Sequence, residues 1–480
     1  MTALQYDSHN AGQSTDLDAR QGSRLISPGD PDYADAARSW NLLSVHRPAA
    51  VFRAECAADV VAAVRYAAGA GLGVAVLATG HGTPSVGADT VLVNTSAMTG
   101  VRIDSERGTA TVGAGARWRD VHARSAAYRL VGVSGSSSQV GVVGFTVGGG
   151  FGWLSRRLGF AASWVRKAEV VTADGRLVCA TAQDHSDLLW ALAGRVGNLG
   201  VIASLTFDLH PLTRVYGGNL YFPLTRAREV LECYRDWSST LPREFMSALA
   251  LRRFPPAPTV PEPLRGLALV AVRACYSGLD LPVGAEVVDS LRRMLPDPVL
   301  DTFGELPATD LDSISLDPTV PVGAVQRGEA LTSLDDNSID ALLAAAGPHS
   351  GSPFVMLELR QLGGALDQAP RGPHPMAATS AAYTMNAIGL AANATEARDM
   401  RERQDHLVAH LGPSLTGSTY LNFLDGDPHI SPERVRAAYT ADDYARLRAI
   451  KRRYDPTNVI CSGRPIPPQS TTDISEGETP

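Results

Sequence analysis

Positive charge in excess is the first thing this sequence lacks: 43 Lys and Arg stand against 50 Asp and Glu, a net charge of −7 over 480 residues, and no basic block collects them. A phosphate backbone is bound through such a block, so nucleic acid is excluded as a partner. Cysteine is scarce as well. Cys56, Cys179, Cys233, Cys275 and Cys461 are odd in number, scattered and free of any CxxC pairing, which argues against a disulfide framework and against a zinc site, so no metal is expected. They read as reduced thiols of a cytoplasmic protein. No apolar run approaches the about 20 residues of a membrane-spanning helix. The opening MTALQYDSHNAGQSTDLDAR has acids and amides where a secretion signal carries a basic stretch and an apolar core. Neither secretion nor a membrane partner is expected. The leader, residues 1–27, and the tail, residues 469–480, offer little apolar surface to offset ordering entropy and read as mobile.

What is present is the composition of an ordinary soluble globular protein, 44% hydrophobic and 19% charged. The length exceeds what one hydrophobic core organises, so two cores are expected. AECAADVVAAVRYAAGAG predicts an amphipathic helix with Val60, Val61, Val64, Ala67 and Ala68 on one face, ended by Gly69 and Gly71. A short buried strand, Val74 to Leu77, leads from it into the loop TGHGTP. Short strands VLVNT, GVRID and TATVGAG follow, then a helix from Trp118 to Tyr128 and a hairpin turning at Asp174-Gly175. The pattern is α+β rather than regular βαβ. Beyond residue 213 the glycine loops stop, and helical stretches such as REVLECYRDWSSTL and GAEVVDSLRRML alternate with strands LALVAVRACY and PFVMLELRQL, which suggests a second, substrate-facing layer. Residues 432 to 459 return to helix, stopped by Asp455-Pro456.

Two glycine loops stand out, 79 to 83 and 134 to 152. Glycine lets backbone amides approach a pyrophosphate where a side chain would collide with its oxygens, so the pair suggests a dinucleotide; tight turns in a β-rich protein are the other reading. Neither loop has the GxGxxG order with a following acidic residue, and the P-loop lysine is absent.

An ordered series of segments carries a resemblance. GDPDYADAARSWN, RPAAVFRAECAADVVAAVRYA, TGHG, VGVVGFTVGGGFGWLSRRLGF, LWALAGRVGNLGVI, YLNF and KRRYDPTNVI resemble, in order and spacing, the FAD-linked oxidases of the vanillyl-alcohol oxidase (PCMH-type FAD-binding) superfamily, in its berberine-bridge-enzyme-like branch. The resemblance implies a two-lobed fold. An FAD lobe would be built from residues 28–212 and 431–468, with a substrate domain of antiparallel sheet covered by helices over 213–430. It implies FAD as cofactor, bonded to His81 through a ring nitrogen and the flavin 8α-methyl carbon. A second, cysteinyl link found in some relatives falls here on Ser137, which cannot form a thioether, so a single link is expected. Cofactor contacts are implied for Thr79, Gly80, His81, Gly82 and Thr83; for Ser134, Gly135, Ser136, Ser137 and Val140; and for Gly141, Gly144, Phe145, Gly148, Gly149, Gly150 and Gly152. Val201, Ile202 and Asn458 complete the set.

The same resemblance points to Tyr420, in TYLNF, as the base that takes a substrate proton. An unperturbed tyrosine pKa near 10 needs help, and Tyr383 is the candidate helper; either tyrosine could instead be a half-buried aromatic. Glu358 is a third candidate base, with an ion pair to Arg360 or elsewhere as its structural reading. Two departures from the family pattern lie near the expected flavin: Arg195 and Val196 within GRVGNLG, and Ser163 where an acidic residue is usual. The implied activity is that of an FAD-dependent oxidoreductase. It would oxidise an alcohol or related group of a small secondary metabolite or sugar-bearing compound by hydride transfer to flavin N5, with molecular oxygen as acceptor. Two other readings stay open: a redox-neutral FAD-bearing cyclase or pericyclase, and a non-catalytic flavin-binding protein. Oligomeric state is not legible.

Overall fold

The computed structural model describes residues 24–193, 198–367, 380–424, 430–461 and 466–469. The leader before residue 24, Arg195, Val196 and the tail beyond 469 lie outside the described residues.

The first sheet joins β1 (Leu25–Ile26), β2 (Ala50–Arg53), β3 (Gly73–Leu77) and β4 (Thr90–Asn94) in the order β1-β2-β4-β3, with β2 and β3 parallel to β4. The helix Ala57–Gly69 crosses between β2 and β3. It starts where the Asp59 carboxylate accepts the backbone N–H groups of Glu55 and Cys56, at 2.9 and 3.2 Å, satisfying donors that a helix start leaves open. Its core stripe is Val60, Ala63, Val64 and Ala67, the i, i+3, i+4, i+7 set. Of the expected face Val60, Val64 and Ala67 are in this stripe, while Val61 is only partly covered, Ala68 is exposed and Ala63 joins instead.

The second sheet contains β5 (Val101–Asp104), β6 (Thr109–Gly113), β8 (Val165–Val171), β9 (Leu177–Thr181) and β10 (Val201–Asp208), antiparallel in the order β5-β6-β10-β8-β9. The two-residue strands β7 (Leu130–Val131) and β11 (His210–Pro211) pair beside it. The helix expected from Trp118 runs to Ser125 and tightens into a 3-10 turn through Tyr128.

The third sheet is formed by β12 (Arg214–Pro223), β13 (Phe245–Arg253), β14 (Ala268–Tyr276), β15 (Leu300–Asp301), β16 (Gly304–Pro307), β17 (Ala324–Leu331), β18 (Phe354–Gln361) and β19 (Tyr383–Leu390). Its order is β15-β12-β14-β13-β18-β19-β17, antiparallel throughout, with β16 also on β12. Four helices, Ala227–Ser239, Leu281–Met294, Asp336–Ala346 and Ala394–Leu411, cover one face, and alternate strand residues such as Leu249, Val272, Leu357 and Met385 join their apolar stripes in one core. The opposite face meets residues of the glycine-rich segment: Ala248, Cys275 and Ala330 share a second core with Phe151, Trp153, Phe160 and Tyr420. The architecture is the expected α+β one, two-lobed with a helix-covered antiparallel sheet. No helix among the described residues is long and apolar enough to cross a membrane.

The closing segment departs from expectation in one respect: it is two helices, Pro432–Arg436 and Ala441–Tyr454, not one. Thr440 interrupts it by accepting the Asp443 N–H at 3.1 Å, an N-cap that starts a fresh helix. The second helix is fastened by a fully buried ion pair. Lys451 Nζ donates to Asp455 Oδ2 (2.6 Å), Asn198 O (2.5 Å) and Ile460 O (2.8 Å), while Asp455 accepts from Val459 and Ile460 N–H. Val74 of β3 bridges to Ile460, so this pair holds the chain's end against the first sheet. Removing one partner would leave a buried, uncompensated charge. Lys451→Met is therefore expected to cost about 3–5 kcal/mol, read as a lower urea midpoint with unchanged secondary structure in the folded baseline.

Candidate active site

β3 delivers the chain into the 79–83 loop, which turns through Gly80 at φ 76°. A Cβ there would lie 2.7 Å from the Ser39 Cα, so only glycine fits both the conformation and the contact. The loop is strapped down by Trp40 N–H donating to Thr79 O and Asn41 N–H donating to Gly80 O, both 3.2 Å. His81, half-buried, stacks on Trp40 with ring centroids 4.4 Å apart and planes at 17°, and its Nδ1 lies 2.8 Å from Thr79 Oγ1. Burial, with repulsion from Arg117 added, pulls its pKa down to about 4. The imidazole is therefore neutral at pH 7, with a ring nitrogen free of its proton. Gly82 and Thr83 complete the loop.

The second loop folds against this one. Gly141 pairs with Arg117 across a short bridge, and an added Cβ at Gly141 would sit 3.4 Å from Thr79 Oγ1. Val140 O accepts the Trp118 N–H at 3.1 Å, and Phe145 packs edge-on to Trp118 with centroids 5.7 Å apart. Ser137 Oγ accepts the Gln139 N–H at 3.3 Å; Ser136 stands beside it, and Ser134 is buried at the start of the loop. Gly135 lies against Phe145, and Gly152 against the Ser134 carbonyl. Gly149 and Gly150 turn the chain so that their carbonyls accept Ala162 and Ala161 N–H at 2.9 and 2.8 Å. Gly144 faces open space. Ser163 lies in the 3-10 turn Ala161–Trp164.

Beside Thr79 and the start of the Trp118 helix is a cavity of about 400 Å³ lined by Thr79, Ser96, Arg117, Arg119, Asp120 and Arg124 among others. Three guanidiniums set against the one carboxylate of Asp120 give the cavity a positive balance that suits an anion such as a pyrophosphate. Asn458, held at φ 55°, has a buried Oδ1 with no partner among the described residues, as a ligand-facing amide would. Val201 and Ile202 sit in the β10 ladder opposite Val171 and Val170, and Val201 shares a core with Val74 and Ile460. The residues present thus fit a dinucleotide: a glycine cradle, a cationic cavity and an orphaned amide. The arginines went unnoticed in the sequence, although ARWRD at a helix start was there to be read.

Tyr420 is buried against Phe151, Phe160 and Phe423, with ring centroids 5.8, 6.1 and 4.9 Å away. Asn422, two residues on, donates from Nδ2 to Tyr420 Oη (3.3 Å) and to Phe145 O (2.9 Å). Its Oδ1 fills the space a Cβ on Gly148 would take. The YLN segment is thereby locked to the glycine loop, and Asn422 is a second residue the sequence reading passed over.

The structure does not bring Tyr383 to Tyr420, correcting its expected helper role. Tyr383 begins β19 on the helix-covered face, its Oη 2.8 Å from Ser238 Oγ and its ring 6.3 Å from that of Tyr234. Burial raises its pKa. Glu358 takes its structural reading: it is fully buried between Arg273 and Arg360, with Arg360 Nε donating to Oε2 at 2.5 Å. Burial pushes its carboxyl up, but Arg360 and Arg273 more than offset that and leave it below the usual range.

Two glycine loops, a neutral histidine and a buried tyrosine on the face of the large sheet are features that a flavin-dependent oxidoreductase would use. Comparison with known proteins says the same. Residues 48–181 match the FAD binding domain family and residues 419–467 the berberine and berberine-like family. The chain therefore carries the paired domains of the berberine-bridge-enzyme-like FAD-linked oxidoreductases, as the resemblance implied. It is 26% identical to an FAD-linked oxidoreductase of Dictyostelium discoideum, covering 92% of this chain and 93% of that one. It is 24% identical to the (R)-6-hydroxynicotine oxidase of Paenarthrobacter nicotinovorans, covering 93% and 97%. The solved carbohydrate oxidase of Microdochium nivale, in complex with a substrate analogue, shares the fold with a TM-score of 0.78 at 20% identity, covering 95% of this chain and all of that one.

The Gly148 vacancy supplies a test. Gly148→Ala is expected to drive Asn422 out and shift Tyr420, lowering kcat by about 10²-fold with FAD retained. Adding Asn422→Ala to that variant is expected to restore thermal stability and not the rate.

Proposed function

We propose that the chain oxidises an alcohol or related group of a small secondary metabolite or sugar-bearing compound, holding FAD by one covalent bond to His81. FAD, when bound, supplies the hydride acceptor at N5 and passes the electrons to molecular oxygen. The observation that carries the reading is His81: neutral, stacked on Trp40 and set beside two glycine loops and a cationic cavity. A neutral ring nitrogen is what an 8α-methyl carbon needs as its partner. The glycine loops, from Thr79 to Thr83 and from Ser134 to Gly152, would hold the cofactor's phosphates and ring edge, with Arg117 beside Thr79 and Asn458 a separate contact at the far end of β3. Ser137 offers no thiol for a second link.

Tyr420 is assigned as the group that takes the substrate proton at Oη. The Asn422 donor favours negative charge on that oxygen and fixes its direction. Residues 28–212 and 431–468 are assigned to the FAD lobe and 213–430 to the substrate lobe. Support for a small organic substrate comes from the relatives, whose names cite nicotine derivatives and carbohydrates. The five cysteines, all free in the structure, accord with work in the cytoplasm.

The test of the link is acid precipitation of the yellow protein. Wild type is expected to keep its flavin in the pellet and His81→Ala to release it; release from wild type would refute the bond. For the base, Tyr420→Phe is expected to slow flavin reduction by about 10²–10⁴-fold. A rate within a factor of two of wild type would dismiss Tyr420 from that role.

A further inference from the structure

The large sheet carries two registered rows on the face that meets Phe151, Trp153 and Tyr420. One reads Ala248, Arg360, Thr384, Ala330 across β13, β18, β19 and β17; the next reads Ala250, Glu358, Asn386, Gly328. Residues opposite one another in a register share a face, so Arg360, Thr384, Glu358 and Asn386 form a polar centre flanked on both sides by alanine and glycine, which add almost no height. Phe423 closes one end, over Gly328.

The polar centre is unsatisfied. Arg273 uses its donors on Asn219 Oδ1, Glu358, Ile314 O and Ser315 O. Arg360 gives only Nε, to Glu358, and stands over the Trp153 and Phe151 rings at 5.4 and 6.0 Å. Among the described residues its two Nη groups make no hydrogen bond, and they are not fully buried, so the fork keeps access to the space above the sheet although Arg360 as a whole is only 5% exposed. Thr384 Oγ1 and Asn386 Oδ1, at 2% and 6% exposure, are buried without partners as well. Three guanidiniums, those of Arg252, Arg273 and Arg360, act on the one carboxylate of Glu358 and leave positive charge in excess. Buried donors and charge of this kind are costly, and a chain keeps them where a ligand completes them.

We propose that this floor is a subsite for a carboxylate on the substrate. Arg360 holds the carboxylate through its Nη fork, Thr384 donates its hydroxyl to the same group, and Asn386 accepts from a hydroxyl or amine elsewhere on the molecule. A planar carboxylate matches the two-nitrogen fork of Arg360, and the excess positive charge of Arg252, Arg273 and Arg360 over Glu358 favours an anion there. FAD's own phosphates are accounted for by the glycine loops and the Arg117 cavity of the other lobe. The inference deepens the function proposed above and rests on its assignment of the Tyr420 face as the substrate side.

The test uses benzoate and the uncharged benzamide as matched probes, titrated into the flavin-loaded protein by calorimetry. Wild type is expected to bind benzoate at least tenfold more tightly than benzamide, and Arg360→Gln to lose that preference with its flavin content unchanged. Thr384→Val, which leaves the charges in place, is expected to weaken benzoate a few-fold and benzamide not at all, and serves if the arginine variant does not fold. Equal binding of the two probes by wild type, or a preference that survives both substitutions, overturns the proposal. The outcome is separable from that of the function itself. Acid-labile flavin or an unimpaired Tyr420→Phe variant counts against the first reading whatever the probes do, and equal probe binding with a sound His81 link and a slow Tyr420→Phe variant counts against the carboxylate alone.

Discussion

The missing side chain at Gly148 is the constraint on which the rest of the site depends. Asn422 occupies that space, and from it reaches Phe145 O with one hydrogen bond and Tyr420 Oη with another. A segment more than 270 residues away in sequence is thereby fixed to the glycine loop that would hold the flavin, and the direction of the Tyr420 hydroxyl is set by the same amide. An interlobe contact made by one polar side chain in a glycine notch is short-ranged and unforgiving, because well-packed surroundings cannot absorb an added carbon without displacing something. The Lys451–Asp455 pair does the corresponding work on the other side, tying the closing helix to Asn198 and Ile460.

Charge in the molecule is placed with the same economy. The cavity beside Thr79 gathers Arg117, Arg119 and Arg124, and the nearby histidine is kept neutral by burial and by that positive neighbour. Across the cleft the sheet buries Glu358 between two guanidiniums, which removes it as a base while leaving Arg360 with donors to spare. The proposed proton acceptor, Tyr420, then has no competition from Glu358 on this face.

The fate of Tyr383 shows where sequence reasoning loses its hold. In β19 the side chains alternate, so Tyr383, Met385 and Ala387 face the helices while Thr384 and Asn386 face the loop side. A tyrosine in SAAYTMNAIG is equally plausible on either face when read alone, since nothing local says which parity faces the flavin; a shift of one residue exchanges the two sets. The helix at 57–69 keeps Val60, Val64 and Ala67 of its expected face and loses Val61 and Ala68 at the edges, and the closing helix divides because the Thr440 cap competes with an otherwise continuous helical pattern.

The sequence by itself determined what is local: the helix and strand periods of the first 210 residues, the two glycine loops, the absence of a thiol at Ser137, and, through ordered motifs, the class of cofactor and the α+β two-lobed fold. Tertiary structure alone decided which side chains share a space: Arg117 with the 79–83 loop, Asn422 with Gly148, Arg360 with Thr384 and Asn386, and Tyr383 with Ser238. The physical reason is one of range. Backbone conformation responds to neighbours a few residues away and leaves a pattern in the chain, whereas register, sheet face and interlobe contact are set by which surfaces exclude water together, and those surfaces come from segments hundreds of residues apart.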